Sequence, residues 1–145
     1  MKRTLPPIVA LLALSATFAL HAAGGITASD AQVRMVPPNT TLAQMSVVLH
    51  NQGNRERKLL KAHSPLAAAV ELHARLSDAA DDTRMREIPG IAIAARGETA
   101  LTPRGLHLML IGLRQPLSEG QIVPVTLIFD GGQTARVDAV VVTGR

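Results

Sequence analysis

The chain has 145 residues, enough for one domain with a sizeable core. It contains no cysteine, which excludes disulfide bonds, thiolate metal sites and the blue-copper site of electron carriers, since that site needs a cysteine thiolate. The formal charge is +4, and it falls to +2 when Lys2 and Arg3 of the leader are removed, which leaves 13 basic and 11 acidic residues. The sequence has no basic stripe with stacking aromatic residues. These two observations argue against nucleic acid as a partner.

Residues 1–23 are predicted to be a secretory signal peptide. Lys2 and Arg3 precede an apolar stretch, 8–20, that is too short to span a bilayer comfortably. The small residues at 22–24 favour cleavage there, and an uncleaved membrane anchor is the alternative. Export of a cysteine-free protein is compatible with the periplasm of a Gram-negative bacterium. The mature domain is then expected to cover residues 24–145.

The mature chain is predicted to form short strands separated by turns. Phe129 is its one aromatic residue, so the core must be built from aliphatic side chains, which is typical of a β-rich domain. Turn clusters such as 51–54 and 130–132 recur along the chain. About eight or nine strands at roughly ten-residue spacing indicate an all-β domain, an antiparallel β-sandwich or barrel. The predicted strands cover residues 26–38, 41–50, 59–62, 67–76, 91–94, 99–101, 106–113, 122–129 and 135–142.

Local propensity and periodicity disagree over residues 67–76. Three consecutive alanines followed by Glu, Leu and Arg favour a helix. The alternation of Val70, Leu72 and Ala74 with Glu71 and His73 instead favours a strand. The strand interpretation places His73 on the polar face.

A second alternating stretch carries a histidine and a methionine on one face. Leu106, Leu108 and Leu110 fall on the face expected to enter the core, which leaves His107 and Met109 together on the opposite face. A thioether sulfur is a soft ligand suited to Cu(I), and imidazole also binds copper. Two such groups at i and i+2 can converge on one ion.

Spacing extends this pair to four residues. Ten residues separate Ala74 from Met85, twenty-one separate Met85 from His107, and one separates His107 from Met109. With His73 next to Ala74, this pattern resembles the H-(x or M)-x10-M-x21-H-x-M signature of the PCuAC family of periplasmic copper chaperones. The flanking sequences are similar as well, namely Val70-Glu71-Leu72-His73, Met85-Arg86 and Leu108-Met109-Leu110 followed by Gly112-Leu113. The resemblance runs from about residue 25 to the C-terminus.

The resemblance implies a cupredoxin-like fold and a Cu(I) site made by His73, Met85, His107 and Met109. It also implies a non-enzymatic role, delivery of copper to the CuA centre of cytochrome c oxidase or to another periplasmic copper chaperone, by a protein expected to be a monomer. The chain departs from the family at Ala74, where some members have methionine. It also lacks the His/Met-rich C-terminal tail of many members, so we do not expect a second, Cu(II) site.

Two imidazoles and two thioethers form a neutral set that favours Cu(I) over Zn²⁺, Mg²⁺ or Ca²⁺. If the four side chains lie on polar strand faces and loops, the ion is expected near the surface. Other histidines and methionines have simpler interpretations: His50 and His63 as surface residues at strand ends, Met45 as core and Met35 as core or edge.

Two other functions are alternatives to a copper carrier. A serine hydrolase is not supported, because the chain has no G-x-S-x-G motif. A metal-free periplasmic β-sandwich that acts as an interaction or assembly module remains the alternative, and it would not require His73 and His107 to lie close together.

Overall fold

The computed structural model describes residues 25–36, 40–77 and 83–143. The sequence predicts a signal peptide at 1–23 and a solvated acidic loop at 77–82. The signal peptide and residues 78–82 lie outside the described residues, whereas Ser77 is the last residue of a strand.

Ten strands account for most of the described chain, and the prediction of an all-β domain is confirmed. Residues 67–76 form a strand, as their alternation indicates. Residues 83–87, which the sequence left unassigned, form an additional strand that contains Met85. The strands are β1 Ile26–Met35, β2 Leu42–Asn51, β3 Arg57–His63, β4 Ala67–Ser77, β5 Thr83–Glu87, β6 Ile91–Ile93, β7 Glu98–Leu101, β8 Leu106–Leu113, β9 Ile122–Phe129 and β10 Thr134–Val141, with a short 3₁₀ turn at Asp130–Gly132.

The strands close into a barrel. Neighbouring strands follow the order β4-β8-β2-β1-β10-β9-β3, and a further pairing of β3 with β4 at Ala62 and Val70 completes the ring. The short strands β5, β6 and β7 flank this ring by pairing with β4, β3 and β2. The described pairings are antiparallel except for that of β1 with β10, which is parallel.

Aliphatic side chains fill the barrel, as the composition predicts. Fully burying a valine, leucine, isoleucine or phenylalanine side chain contributes about 1.5–3 kcal/mol to the free energy of unfolding. On β9 every second side chain points into the core, and the last of these, Phe129, is the aromatic residue of the core. The fully buried positions include Val33, Met45, Leu49, Leu59, Ile93, Leu108, Leu110, Val123, Val125, Leu127 and Phe129.

Tertiary pairing explains why the alanine-rich segment at the start of β4 is a strand. Helix propensity favours alanine by only a few tenths of a kcal/mol over most residues. As a strand, β4 instead pairs with β8 over residues 67–74, and with β5 over 73–77. Each ladder hydrogen bond contributes about 1 kcal/mol, so the sum of the pairings outweighs the helical preference.

Gly112 near the end of β8 is required by its surroundings. Its φ is +67°, in the left-handed region, and a Cβ atom here would lie 2.9 Å from the Cβ of Ala68 on β4. A glycine therefore allows β8 to approach β4 closely over the last part of their pairing.

We predict that Gly112→Ala destabilises the fold by about 2 kcal/mol or more, because it adds left-handed backbone strain and a steric clash. The control is Gly120→Ala, since Gly120 also has a positive φ (+79°) but has no atom within 4 Å of the added Cβ. Urea unfolding followed by far-UV circular dichroism measures both losses. Equal losses in the two variants would contradict a close-approach role for Gly112.

Candidate metal centre

Three adjacent strands, β5, β4 and β8, carry the four predicted ligands on one face of the sheet. His73 of β4 lies directly across from His107 of β8. Two residues further along β8, Met109 lies directly across from Glu71 of β4. On the other side of β4, Met85 of β5 lies directly across from Arg75 of β4. Because directly paired residues and residues two apart share a face, the register brings all four candidate side chains to the same side.

The two imidazole rings are in contact across the β4–β8 pair. Their centroids are 5.8 Å apart and their planes are inclined by 55°. With metal–nitrogen bonds of about 2.0 Å, two histidines that share one ion have ring centroids about 5–6 Å apart. The observed spacing therefore suits a shared ion.

A tight turn orients His107. Residues 102–105 have the sequence Thr-Pro-Arg-Gly, and the amide of Gly105 donates to the carbonyl of Thr102 (3.1 Å). Proline at the second position and glycine at the fourth are typical of a type I turn. The Gly105 carbonyl then accepts hydrogen bonds from the Arg75 amide (3.2 Å) and from Nδ1 of His107 (3.0 Å).

A carboxylate orients His73. Nε2 of this ring lies 2.8 Å from Oε2 of Glu71, two residues earlier on the same face of β4. An ionised carboxylate only accepts hydrogen bonds, so Nε2 carries the proton that it donates to Glu71. In the neutral ring, Nδ1 is therefore left with a free lone pair.

Each neutral ring thus has one nitrogen whose lone pair is not used in a hydrogen bond. Nδ1 of His73 and Nε2 of His107 are both buried and have no hydrogen-bond partner among the described residues. Leaving a buried polar atom unpaired costs about 1–3 kcal/mol. The arrangement is characteristic of metal-binding histidines, in which a hydrogen bond to one nitrogen fixes the tautomer and exposes the other to the ion.

Burial lowers the pKa of His107 below its usual 6.5. The hydrogen bond to Gly105 acts in the opposite direction, and the charges of His73 and Arg75 lower the pKa further. The ring is consequently held neutral, which is the form that binds a metal.

The methionines flank the histidine pair at different depths. Met109 is half-buried, whereas the side chain of Met85 is 39% exposed on the outer strand β5. Methionine has three rotatable side-chain bonds, so its sulfur can adapt to a neighbouring ion. Across residues 25–36, 40–77 and 83–143, no group of three or more His, Asp or Glu side chains is placed to hold a metal.

The expectation that the site lies on exposed polar faces is wrong for His107. Its side chain is fully buried, as is that of Leu108 on the opposite face of β8. The reason is that β8 is an interior strand of the sheet, between β4 and β2, and the His73 ring packs against His107. Of the four predicted ligands, Met85 is the most exposed.

The sequence prediction assigned no role to Glu71. The signal was present, because Glu71 and His73 are spaced to share one face of a strand. What the sequence lacked was evidence that the carboxylate turns toward the imidazole rather than to solvent.

Other histidines and methionines lie elsewhere, as predicted. His50 is half-exposed and contacts Glu98 (3.2 Å) and Ser29 (3.0 Å), beside a cavity of about 790 Å³ that the paired histidines do not line. His63 is exposed at the end of β3. Met45 is fully buried in the core, and Met35 packs against the core.

Comparison with known proteins identifies the family of this chain. The family model described as "Putative lipoprotein LpqE-like" matches residues 26–141. "Putative lipoprotein Lxx21020" of Leifsonia xyli subsp. xyli (strain CTCB07) is 33% identical over 115 residues, which cover 79% of this chain and 68% of that protein. The solution structure of apo-DR1885 from Deinococcus radiodurans is 32% identical, covers 99% of this chain and 97% of its own, and has a TM-score of 0.63. The chain belongs to this LpqE-like, PCuAC-type family.

Copper-loaded structures are among the similar PCuAC proteins. Cu(I)-DR1885 from Deinococcus radiodurans is 31% identical, with 89% of this chain and 84% of that chain covered and a TM-score of 0.63. The copper-bound PCuAC domain of PmoF2 is 22% identical, with 86% and 97% covered and a TM-score of 0.70, and shows the shared fold. The cupredoxin-like PCuAC fold expected from the sequence is confirmed.

The described part of this PCuAC chain contains no helix long and apolar enough to cross a membrane.

We predict that the metal-free PCuAC domain loses stability as the pH falls below 6.5. The pKa of His107 is lower in the folded protein than its value near 6.5 in the unfolded chain, so the unfolded state binds more protons in this window. The contribution of His107 to the free energy of unfolding is complete above pH 6.5. It is lost as the pH falls toward the pKa of His107 in the folded protein. Urea unfolding at a series of pH values should therefore show a weaker pH dependence in His107→Gln than in the wild type. An unchanged dependence in the variant would contradict this assignment.

Proposed function

We propose that this protein is a copper carrier that binds Cu(I) as cargo through His73, Met85, His107 and Met109. The observation that carries the proposal is the pair of buried ring nitrogens, Nδ1 of His73 and Nε2 of His107, that have no hydrogen-bond partner among the described residues, on rings 5.8 Å apart. The copper-bound states of Cu(I)-DR1885 and the PmoF2 domain support it from related structures.

The chemistry of the donors favours Cu(I). Thioether sulfur is a soft donor that suits this ion, and Mg²⁺ and Ca²⁺ prefer oxygen ligands. A neutral N₂S₂ set also adds no anionic charge that would favour a divalent ion. The carboxylate of Glu71 is engaged by His73 and acts on the ring rather than as a fifth donor.

Transfer to an acceptor is proposed to begin at Met85. This is the exposed member of the set and lies on the short outer strand β5, whereas His107 is fully buried. Neutral ligands can be exchanged one at a time for those of a partner with a better set. A carrier of this kind needs no catalytic residue.

The site of action is proposed to be the periplasm. The lipoprotein descriptions of the matching family and of the Leifsonia relative support an exported, envelope-associated protein. The proposed acceptor is the CuA-bearing subunit of cytochrome c oxidase or another periplasmic copper chaperone, and the carrier is proposed to act as a monomer.

The alternative, a metal-free interaction module, gives no reason for the histidine geometry. Two imidazoles packed together, each with a buried nitrogen lacking a partner, destabilise a protein that uses them only for packing. This contact counts against the alternative.

The primary test is Cu(I) competition between the mature protein and a chromophoric Cu(I) chelator under anaerobic, reducing conditions. We expect the wild type to retain one equivalent of Cu(I) and the double variant His107→Ala/Met109→Ala to lose it. The matched control is His63→Ala/Met35→Leu, which removes one histidine and one methionine outside the centre. Failure of the wild type to compete, or equal loss in the control, would contradict the proposal.

A second prediction concerns the carboxylate that orients His73. Glu71→Gln keeps the size of the side chain but removes the charge that holds the Nε2 proton, and it should weaken Cu(I) binding by about tenfold. The control is Glu87→Gln, because Glu87 lies directly across from His73 on β5 and is exposed. Chelator competition with both variants measures the difference. Equal affinities in the two variants would contradict a specific role for the 2.8 Å contact.

A further inference from the structure

A cavity of about 240 Å³ with several polar side chains in its lining lies on the β1–β2 part of the sheet, outside the candidate metal centre. At about 30 Å³ per water molecule, the space equals roughly eight waters. Gln32 and Pro103 are exposed at its rim, so the cavity is accessible from the surface. Its lining residues are Gln32, Arg34, Gln44, Ser46, Pro103 and Val142.

Arg34 is the charged residue of this lining, and its guanidinium is incompletely paired. The Nε atom is buried and has no hydrogen-bond partner among the described residues. No described carboxylate lines the cavity with it. A buried donor on a permanently charged group costs more to leave unpaired than a neutral one, so a complementary acceptor would be strongly favoured.

The other polar residues of the cavity are fixed by strand pairing. Gln32 and Arg34 of β1 lie directly across from Ser46 and Gln44 of β2. Gln44 is 7% exposed, and its Nε2 donates to the Pro103 carbonyl (3.0 Å), which holds the amide against one wall. The cavity thus presents a guanidinium together with amide and hydroxyl groups on a rigid sheet.

We propose that this cavity binds a carboxylate group, with Arg34 as its principal partner. A guanidinium offers parallel N–H donors in a fork that matches a planar carboxylate in two-point contact, and such a pair would satisfy the unpaired Nε. The amide of Gln32 and the hydroxyl of Ser46 provide further donors along the same wall. This proposal rests on the cavity and does not depend on copper binding.

The cavity lies next to the metal centre. Gln44 is paired with Arg34 on one side and with Met109 on the other, so these three residues form one row across β1, β2 and β8. Adjacent strands are about 4.8 Å apart, which places the main chains of Arg34 and Met109 about 10 Å apart. The carboxylate can therefore come either from a free small acid or from an acidic side chain of a protein that docks over this face.

The test is nuclear magnetic resonance titration of the mature, ¹⁵N-labelled protein with sodium acetate, at constant ionic strength maintained with sodium chloride. We expect a saturable downfield shift of the Arg34 Nε–H signal, accompanied by shifts of the Gln32 and Ser46 amides. Because the Nε–H signal is observed directly in the wild type, this readout needs no variant. A shift that grows linearly without saturation, or none, would overturn the proposal and leave only water in the cavity.

Variants test the role of the guanidinium fork. Arg34→Lys keeps the positive charge but removes Nε and the fork, and it should weaken the acetate response of the Gln32 and Ser46 amides at least tenfold. The matched control is Arg136→Lys, since Arg136 is an exposed arginine of β10 paired with Asp138. An undiminished response in Arg34→Lys would overturn the proposed role of Arg34.

A second titration distinguishes the two sources of the carboxylate. A short peptide with blocked termini and one aspartate is compared with acetate on the same signals. Binding of both, or of the peptide alone, supports an acidic side chain of a docking protein as the source. Binding of acetate alone supports a small free acid that enters the cavity.

Discussion

The register between β4 and β8 is the constraint on which the candidate site depends. It sets His73 directly across from His107 and places Met109 one step along the same face. Side chains alternate along a strand, so a slip of one residue would send one of the two histidines to the opposite face. The slip would also move Leu108 and Leu110 out of the core, and the aliphatic packing of the barrel therefore protects the geometry of the site. Gly112 belongs to the same constraint, because β8 can meet β4 near Ala68 only without a side chain at that point.

Two hydrogen bonds fix the orientation of the two neighbouring histidine rings. The Gly105 carbonyl and the Glu71 carboxylate each engage one nitrogen of a ring, and the other nitrogen has no hydrogen-bond partner among the described residues. They act on different atoms, Nδ1 of His107 and Nε2 of His73, so the two free nitrogens are of different types. Unpaired buried nitrogens cost stability, and in the proposed carrier an ion bound to both would remove that cost and so couple metal binding to stability.

The solvent exposure of the candidate ligands increases from the interior of the sheet to its edge. His107 is fully buried on an inner strand, His73 is 15% exposed on the next, and Met85 is exposed on the outer strand β5. A gradient of this kind suits the proposed carrier, since tight and selective binding needs buried ligands, whereas transfer needs one ligand that a partner can reach. On the other side of Met109, Arg34 adds a positive charge to the same sheet without contributing a donor to the metal set.

The sequence by itself determined the β-rich aliphatic core, most of the strand positions and the four candidate ligands. The core and the strand positions follow from local rules, because a period of two assigns faces within one strand. The four candidate ligands follow from the resemblance of the His–Met spacing to the PCuAC signature. Only the tertiary structure decided how the strands pair, including the closure of β3 on β4, the parallel pairing of β1 with β10 and the short strand that carries Met85. It also decided that His107 is buried, that Glu71 turns to His73 and that Gly105 orients His107. Burial and hydrogen bonding depend on what neighbouring strands place against a residue, and those neighbours are distant in the chain, so no local pattern contains them.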